Sequence, residues 1–205
     1  MLLVNFIGAP GAGKSTMAAG LFYRLKLMAW NVEIVTEYTK ELIFTDNRWQ
    51  LSNELEVFAE KHRRLRAMEK VDIVIGDSPL LNSAVYGRDQ LGESGVAFVE
   101  QVARGFDSLY FSVQRVVDYI PVGRMPDEVG AARVGDVLEA HLERLGLPFV
   151  RVDGHPDALD AIVERVEQEA RARGLAPLTA QTSLIPLLDG GIHAPGLDTP
   201  AHLRT

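Results

Sequence analysis

A short glycine-rich segment near the start of the chain has the residue types and spacing for binding phosphate groups. Residues 8–15 read Gly-Ala-Pro-Gly-Ala-Gly-Lys-Ser and fit the pattern G-x-x-x-x-G-K-[ST] without a mismatch. Glycines let the backbone curve closely, so that successive N–H groups point into one concavity and hold anionic oxygens. Lys14 is expected to reach the β- and γ-phosphates of a nucleoside triphosphate, and the Ser15 hydroxyl is expected to bind Mg²⁺.

The surroundings of this segment are those of a P-loop. An apolar run over residues 2–7 predicts a strand before it, and a helical pattern from residue 14 to about 29 follows it. This strand–loop–helix order is the context that a P-loop requires, and the positive end of the helix adds to the field that holds an anion. We therefore predict that the nucleotide is bound by Gly8, Pro10, Gly11, Ala12, Gly13, Lys14, Ser15 and Thr16.

Two carboxylates follow later apolar runs. Asp77 ends the run at residues 73–76, which is the pattern of a Walker-B aspartate that joins Ser15 in the Mg²⁺ shell. The alternative role for Asp77 is a turn or helix-capping residue before Ser78 and Pro79. Glu37 follows the second apolar run and is expected to act as the catalytic base or to bind substrate hydroxyls. An exposed loop acid is the alternative for Glu37, and the two carboxylates could exchange roles.

Arginines supply candidate cations for a transferred phosphoryl group. Arg124 lies in a segment with proline and glycine hinges after the fourth predicted strand, and Arg115 lies nine residues earlier. A loop of this kind is suited to close over a triphosphate, so we predict Arg124 as a catalytic cation and Arg115 as a nucleotide contact. Both could instead be ordinary surface arginines.

The substrate side is less well defined by the sequence. Tyr38 is a candidate for stacking on a base, together with Trp49, Phe58 and Tyr86, of which one or two are expected to contact substrate. Arg63 and Arg64 are predicted to bind the anionic side of the substrate.

Composition limits the partners. The net charge of −7 argues against a broad basic surface for duplex DNA, although the run Lys-His-Arg-Arg-Leu-Arg at 61–66 allows either a local basic groove or a solvated helix face. There is no cysteine, so the sequence offers neither disulfides nor thiolate metal sites. No apolar run reaches the length of a membrane span, and the first strand begins at once, so we expect a cytoplasmic protein without a signal peptide.

Strand and helix patterns alternate along the chain, which predicts an α/β fold with a doubly wound, five-stranded parallel sheet and a lid loop after the fourth strand. Strands are predicted at 2–7, 32–36, 71–75, 108–113 and 148–152. Helices are predicted at 14–29, 48–69, 92–104, 129–145 and 156–173. We assign residues 1–174 to one kinase-like domain and 175–205 to a C-terminal tail, either docked or mobile. The leucines of the tail make a second subunit of a homodimer one candidate surface for it.

With these motifs together, the chain resembles the phage and bacterial P-loop kinases of the AAA-like ATP-binding group, which are similar to nucleoside and nucleotide kinases. The resemblance covers roughly residues 1–170 and is carried by segments 8–16, 36–38, 59–64, 76–79 and 119–124. The segment from Arg115 to Arg124 is especially similar to phage kinases that phosphorylate 5-hydroxymethyluracil bases in DNA. Lys61 stands where this pattern leads us to expect glutamine.

The sequence therefore predicts an ATP- and Mg²⁺-dependent phosphotransferase. The expected acceptor is a nucleoside, a nucleotide or a hydroxymethylated base in DNA, and the phage-like resemblance makes a 5-hydroxymethyluridine DNA kinase, acting in a phage-infected bacterial cell, the leading specific prediction. A P-loop ATPase switch that acts on a protein partner is the alternative.

Overall fold

The first strand lies at the centre of the sheet, as its composition requires. β1 (Leu2–Ile7) is six residues long and every one of them is buried, because helices cover the sheet on both faces. The computed structural model describes residues 1–116 and 128–179. Within this part of the chain, five strands pair in the order β2-β3-β1-β4-β5, and every pairing is parallel. The predicted fold class, an α/β fold with a five-stranded parallel sheet, is confirmed.

The strands and helices alternate with short insertions. The other strands are β2 (Val32–Val35), β3 (Ile73–Gly76), β4 (Ser108–Gln114) and β5 (Phe149–Asp153). The helices are α1 (Lys14–Leu27), α2 (Tyr38–Phe44), α3 (Arg48–Leu51), α4 (Glu54–Arg66), α5 (Leu81–Tyr86), α6 (Arg88–Arg104), α7 (Glu128–Arg144) and α8 (Leu159–Ala172), the last preceded by a 3₁₀ turn over Pro156–Ala158.

The sheet separates two hydrophobic cores. One core packs α1 and α8 against one face of the sheet, with Leu21, Leu25 and Val166 fully buried in it. The other core packs α4, α5, α6 and α7 against the opposite face. Each Å² of buried apolar surface stabilises the folded state by about 25 cal/mol, so cores of this kind are the main favourable term in folding. The sheet and its two helix layers therefore form a rigid frame.

The region between β2 and β3 differs from the sequence prediction. The sequence predicts a single helix over 48–69, but the structure has α3 and α4 separated at Ser52 and Asn53. Asn53 starts a new helix because its side-chain oxygen accepts a hydrogen bond from the Glu56 N–H at 3.4 Å, which caps the amino end of α4. Helices α2 and α5 are absent from the sequence prediction, since each is shorter than two turns and leaves little periodicity to detect.

Two predicted segments fall partly or wholly beyond the described residues. The predicted lid loop and Arg124 lie outside them, and so does most of the predicted tail. At the start of that tail, the Leu178 N–H donates to the Ala29 carbonyl at 2.7 Å, and Leu175 packs against the α1/α8 core. The division of the chain at residue 174 stays a prediction.

Candidate functional site

The carboxyl ends of β1 and β3 lie side by side and bring the two strongest sequence motifs together. In the parallel pairing of these strands, Asn5 lies opposite Gly76, so the loop after β1 and the residue after β3 lie at the same edge of the sheet. In open α/β sheets, ligands bind at the carboxyl ends of the strands, next to the position where the strand order reverses. The Ser15 hydroxyl donates a hydrogen bond to Asp77 Oδ2 at 2.6 Å, across 62 residues of sequence.

The loop from residue 8 to 13 has the conformation that its glycines allow. Gly8, Gly11 and Gly13 have φ values of 136°, 85° and 98°, in a region that residues with a Cβ rarely adopt. A Cβ on Gly8 would also lie 2.5 Å from the Val113 carbonyl oxygen of β4. Lys14, the first residue of α1, folds back over the loop and donates to the Gly8 and Ala9 carbonyls, each at 3.0 Å. The lysine ammonium therefore lies in the cradle that the loop forms.

Gly154, which follows β5, supports this loop from behind, and sequence reasoning missed it. A Cβ at Gly154 would lie 1.9 Å from the Ala12 carbonyl oxygen, so a side chain is excluded there. Its N–H donates to the Gln114 carbonyl at 2.8 Å, which fixes it to the end of β4. Ala12 itself is fully buried, and its N–H donates to the Ala9 carbonyl at 3.1 Å within the loop.

A cavity of about 330 Å³ opens in front of the loop and has two distinct sides. The side that we call the P-loop wall consists of Pro10, Gly11, Gly13, Lys14, Ser15 and Thr16. The side that we call the helical wall is contributed by α2, α3, α4, α5 and their flanking residues, and consists of Glu37, Thr39, Lys40, Ile43, Leu51, Glu54, Lys61, Ser78, Asn82 and Tyr86. The volume is within the range of pockets for small ligands.

Asp77 lies behind the cavity lining, where its carboxylate contacts Ser15 of the P-loop wall and Lys40 of the helical wall. The residue is 4% exposed, and burial raises the pKa of its carboxyl, while the Ser15 hydrogen bond and the Lys40 charge act in the opposite direction. Asp77 Oδ1 is buried and has no hydrogen-bond partner among the described residues. A buried carboxylate oxygen that lacks a donor, beside a serine hydroxyl, suits a hard cation, because Mg²⁺ binds through one or two protein oxygens and completes its shell with phosphates and water.

Glu37 lies at the start of the helical wall, directly before α2. Its Oε1 accepts a hydrogen bond from the Thr39 hydroxyl at 2.8 Å, and its Oε2 lies 3.4 Å from Lys40 Nζ. The same lysine contacts the Ser15 hydroxyl and lies 3.4 Å from Asp77 Oδ2. Lys40, which the sequence motifs do not single out, therefore connects the residues that they do.

The far end of the helical wall contains a buried lysine. Lys61 is 5% exposed, and burial lowers the pKa of its ammonium group, while Glu54 and Glu37 act in the opposite direction. Burial also raises the pKa of the Glu54 carboxyl. Glu54 Oε1 and Asn82 Oδ1 are buried and accept no hydrogen bond within the ranges 1–116 and 128–179. This end of the cavity thus presents a lysine nitrogen as a donor and two acceptor oxygens.

A signal for Lys61 was present in the sequence. The buried residues of α4 are Val57, Phe58, Lys61 and Leu65, spaced by three and four residues. This is the spacing of the inward face of an amphipathic helix. The lysine belongs to the buried face of α4 and not to the basic run in which composition placed it.

The other basic residues of that run are bound in ion pairs outside the cavity. Arg63 donates twice to Glu60, at 2.7 Å each, and Arg64 donates to Glu41 at 2.6 and 2.7 Å and to Glu60 at 2.8 Å. The hydrogen bonds from Arg63, and next those from Arg64, lower the pKa of the Glu60 carboxyl to about 2. The Tyr38 ring lies 4.7 Å from the Arg64 guanidinium. Tyr38, Arg63 and Arg64 were predicted to bind substrate. In the structure, Arg63 and Arg64 pair with glutamates, and Tyr38 contacts Arg64.

The remaining predicted residues divide clearly. Of the predicted nucleotide-binding residues, all but Gly8, Ala12 and Arg115 line the cavity, and Arg115 directly follows β4. Of the aromatic candidates, Tyr86 lines the cavity and is 51% exposed. Trp49 is 71% exposed, and Phe58 packs in the core against Phe98. No helix in the described part of the chain is long and apolar enough to cross a membrane.

Comparisons with known proteins agree with this arrangement. A family model described as an AAA domain matches residues 3–158. No curated protein matches the chain. Two solved structures of deoxyadenosine kinase from M. mycoides have a similar fold. One contains dATP, is 16% identical, covers 82% of this chain and 99% of that one, and gives a TM-score of 0.50. The other contains the products dCMP and a flexible dCDP, is 16% identical, covers 83% and 99%, and gives a TM-score of 0.52. The chain therefore belongs to the AAA domain family and has the fold of a P-loop nucleotide kinase.

Proposed function

We propose that this protein is an ATP- and Mg²⁺-dependent phosphotransferase that acts on a nucleoside or nucleotide. One observation carries the proposal: a phosphate-binding loop and a second set of polar groups face each other across one cavity of about 330 Å³. A protein that only hydrolysed nucleotide would need no acceptor site other than a place for water. A kinase needs both, because the acceptor must lie next to the γ-phosphate.

The P-loop wall is the proposed site of the triphosphate. The loop amides and the Lys14 ammonium supply the positive field, and Lys14 exchanges its contacts with the Gly8 and Ala9 carbonyls for phosphate oxygens. Ser15 and Asp77 would hold Mg²⁺, which neutralises charge on the β- and γ-phosphates when bound. Arg124 and Arg115 stay proposals as further cations at this site.

Glu37 is the proposed general base. Its side chain is 25% exposed and lines the cavity, whereas Asp77 is almost completely buried and accepts the Ser15 hydroxyl. In the proposed step, the Glu37 carboxylate takes the proton of the acceptor hydroxyl as that oxygen forms a bond to the γ-phosphorus. The bond from the γ-phosphorus to the bridging oxygen breaks, and ADP leaves with that electron pair.

The helical wall is the proposed acceptor site. Lys61 offers a donor, Glu54 and Asn82 offer acceptor oxygens, and Ile43, Leu51 and Tyr86 offer apolar surface. A nucleoside has a flat apolar body with donors and acceptors at its edges, which suits such a mixture.

A free acceptor is favoured over a base in DNA by the state of the basic run. Arg63 and Arg64 are engaged with Glu60 and Glu41, which leaves less positive charge to attract a phosphate backbone. A hydroxymethylated DNA base, the finer prediction from the resemblance, would have to leave the base stack to enter the cavity, and it is one outcome of the test below.

The test is transfer of label from γ-labelled ATP in Mg²⁺ buffer. The acceptors are a panel of nucleosides, nucleoside monophosphates and DNA that contains hydroxymethyluracil. Label on a free nucleoside or nucleotide is the expected result, and label on DNA would assign the finer function instead. Label released only as inorganic phosphate, and stimulated by a protein partner, would support the ATPase switch and contradict the kinase. Lys14→Ala serves as the inactive control.

A further inference from the structure

Lys40 occupies an unusual position in the cavity. It is the third residue of α2, and its side chain is about one-third exposed. Its ammonium contacts the Ser15 hydroxyl and lies 3.4 Å from Asp77 Oδ2 and 3.4 Å from Glu37 Oε2. One positive charge therefore touches both proposed ligands of the metal and the proposed base.

The charges around this point require a cation. Removal from water and the nearby Glu37 charge both disfavour the charged form of Asp77. The Lys14 ammonium points to the loop carbonyls, at 3.0 Å from the Gly8 and Ala9 oxygens. The Lys40 ammonium lies within 3.4 Å of both acids, and the Lys14 charge also favours the charged form of Asp77.

We propose that Lys40 is a built-in counter-cation for Ser15, Asp77 and Glu37 in the nucleotide-free protein. As a consequence, a divalent metal ion binds there strongly only together with a nucleotide. This proposal rests on the proposed function, because that function assigns the metal to Ser15 and Asp77. The Lys40 ammonium contacts the same Ser15 oxygen that the metal would use and lies beside the Asp77 carboxylate, so Lys40 must move when the metal arrives. The flexible lysine stem permits this movement, and the phosphates of the nucleotide provide a new partner for the ammonium.

The device couples metal binding to nucleotide binding. A metal ion alone would displace Lys40 from Ser15 and Asp77 and bring no new anion for the ammonium, which weakens the binding of the bare ion. A metal–nucleotide complex brings its own negative charge and removes that cost. The protein thereby avoids occupying its phosphate site with a metal that carries no substrate.

The experiment measures binding of bare Mn²⁺, as a paramagnetic substitute for Mg²⁺, by the free-ion signal in electron paramagnetic resonance. Wild type is expected to bind bare Mn²⁺ weakly and, once the Mn²⁺ that ADP alone removes from solution is subtracted, at least about tenfold more tightly with ADP. Lys40→Met is expected to bind bare Mn²⁺ about tenfold more tightly than wild type, because the competing charge is gone. Lys26→Met is the matched control, since Lys26 forms a comparable pair with Glu33 at 2.7 Å on the surface.

A second readout uses thermal unfolding without nucleotide. Mg²⁺ is expected to raise the unfolding temperature of Lys40→Met by about 2–4 °C and to leave wild type and Lys26→Met nearly unchanged. NaCl at matched ionic strength corrects for screening. Lys40→Arg, which keeps the charge, is expected to behave like wild type.

Either of two results would overturn the proposal: tight binding of bare Mn²⁺ by wild type, or the same weak binding by Lys40→Met. The first measurement needs only wild type, so it decides even where a variant fails to fold. Neither readout requires an acceptor or turnover. A protein that shows the metal behaviour but transfers no phosphate would therefore refute the proposed function and leave the role of Lys40 intact.

Discussion

The P-loop wall and the helical wall of the cavity are built by different means. The P-loop wall is mostly main chain, held in shape by glycines with positive φ and by the close contact of Gly154 with Ala12. The helical wall is mostly side chains, carried by helices that cap and pair with one another. A main-chain wall tolerates no change of shape, whereas a side-chain wall can change its ligand with one substitution. Catalytic machinery and specificity are thus expected to respond to different kinds of mutation.

The largest effect is expected from Lys14→Ala, which removes the charge of the P-loop wall. The lysine is the side-chain donor in the phosphate cradle, so transfer should fall by on the order of 10²–10³ in kcat, the scale for loss of one preorganised electrostatic donor. Labelled transfer from ATP under saturating acceptor measures it. Lys26→Ala, on the same helix but outside the cavity, should retain full activity, and an equal loss in both variants would contradict the assignment.

The next largest effect is expected from Gly154→Ala, which adds one carbon behind the P-loop. Because the new Cβ would lie 1.9 Å from the Ala12 carbonyl oxygen, the loop must shift, at a cost of about 1–3 kcal/mol. Nucleotide affinity, measured by calorimetry with ADP, should weaken by about tenfold or more.

Gly146→Ala is the matched control for that prediction. Gly146 has a φ of 65° but no atom within 4 Å of its added Cβ. It should lose stability through backbone strain and keep its nucleotide affinity. Equal affinity losses in both variants would show that general destabilisation, and not the geometry of the P-loop wall, is responsible.

A smaller and more selective effect is expected from Lys61→Gln on the helical wall. The glutamine amide is shorter than the lysine side chain and reaches less far into the cavity, so kcat/KM for the acceptor should fall by about tenfold while KM for ATP stays unchanged, because the hydrogen bond from Lys61 to the acceptor is lost. Steady-state kinetics with each substrate varied in turn separates the two. Lys70→Gln, which changes an exposed lysine just beyond α4, should have no effect. A parallel rise in KM for ATP would remove the distinction between the walls.

The smallest effect is expected from Glu54→Gln and concerns stability. Burial raises the pKa of the Glu54 carboxyl above its usual 4.5, so the folded protein binds this proton more tightly than the unfolded chain. Stability from this group is therefore lost as the pH rises from about 4.5 through the folded pKa. Urea unfolding from pH 4 to pH 7 should show that the free energy of unfolding of the variant increases relative to that of wild type as the pH rises. A difference in free energy of unfolding that stays constant across this range would refute the role of burial.

The same division explains what could be predicted from the sequence. The P-loop wall binds phosphate through one main-chain conformation, and that conformation requires glycines at fixed positions. The spacing of the motif alone therefore locates Gly13, Lys14 and Ser15. The five strands of the sheet follow from the apolar runs. Asp77 is predictable as well, since the end of a strand fixes its position.

The helical wall could not be predicted in the same way. Lys40 and Asn82 lie on helices of seven and six residues, too short to leave a periodic pattern. Arg63 and Arg64 stand out by their charge, yet Lys61, two residues before them, points inward because of helical spacing. Gly154 owes its role to a contact between distant loops, which no local pattern contains.

Arg64 has a mechanical consequence. Its guanidinium holds Glu41 and lies over Tyr38 on α2, while its backbone belongs to α4. Arg64 therefore links α2 and α4 at their outer faces. Since α2 carries Lys40 and α4 carries Lys61, a tilt of α2 would carry α4 with it and move both ends of the helical wall together.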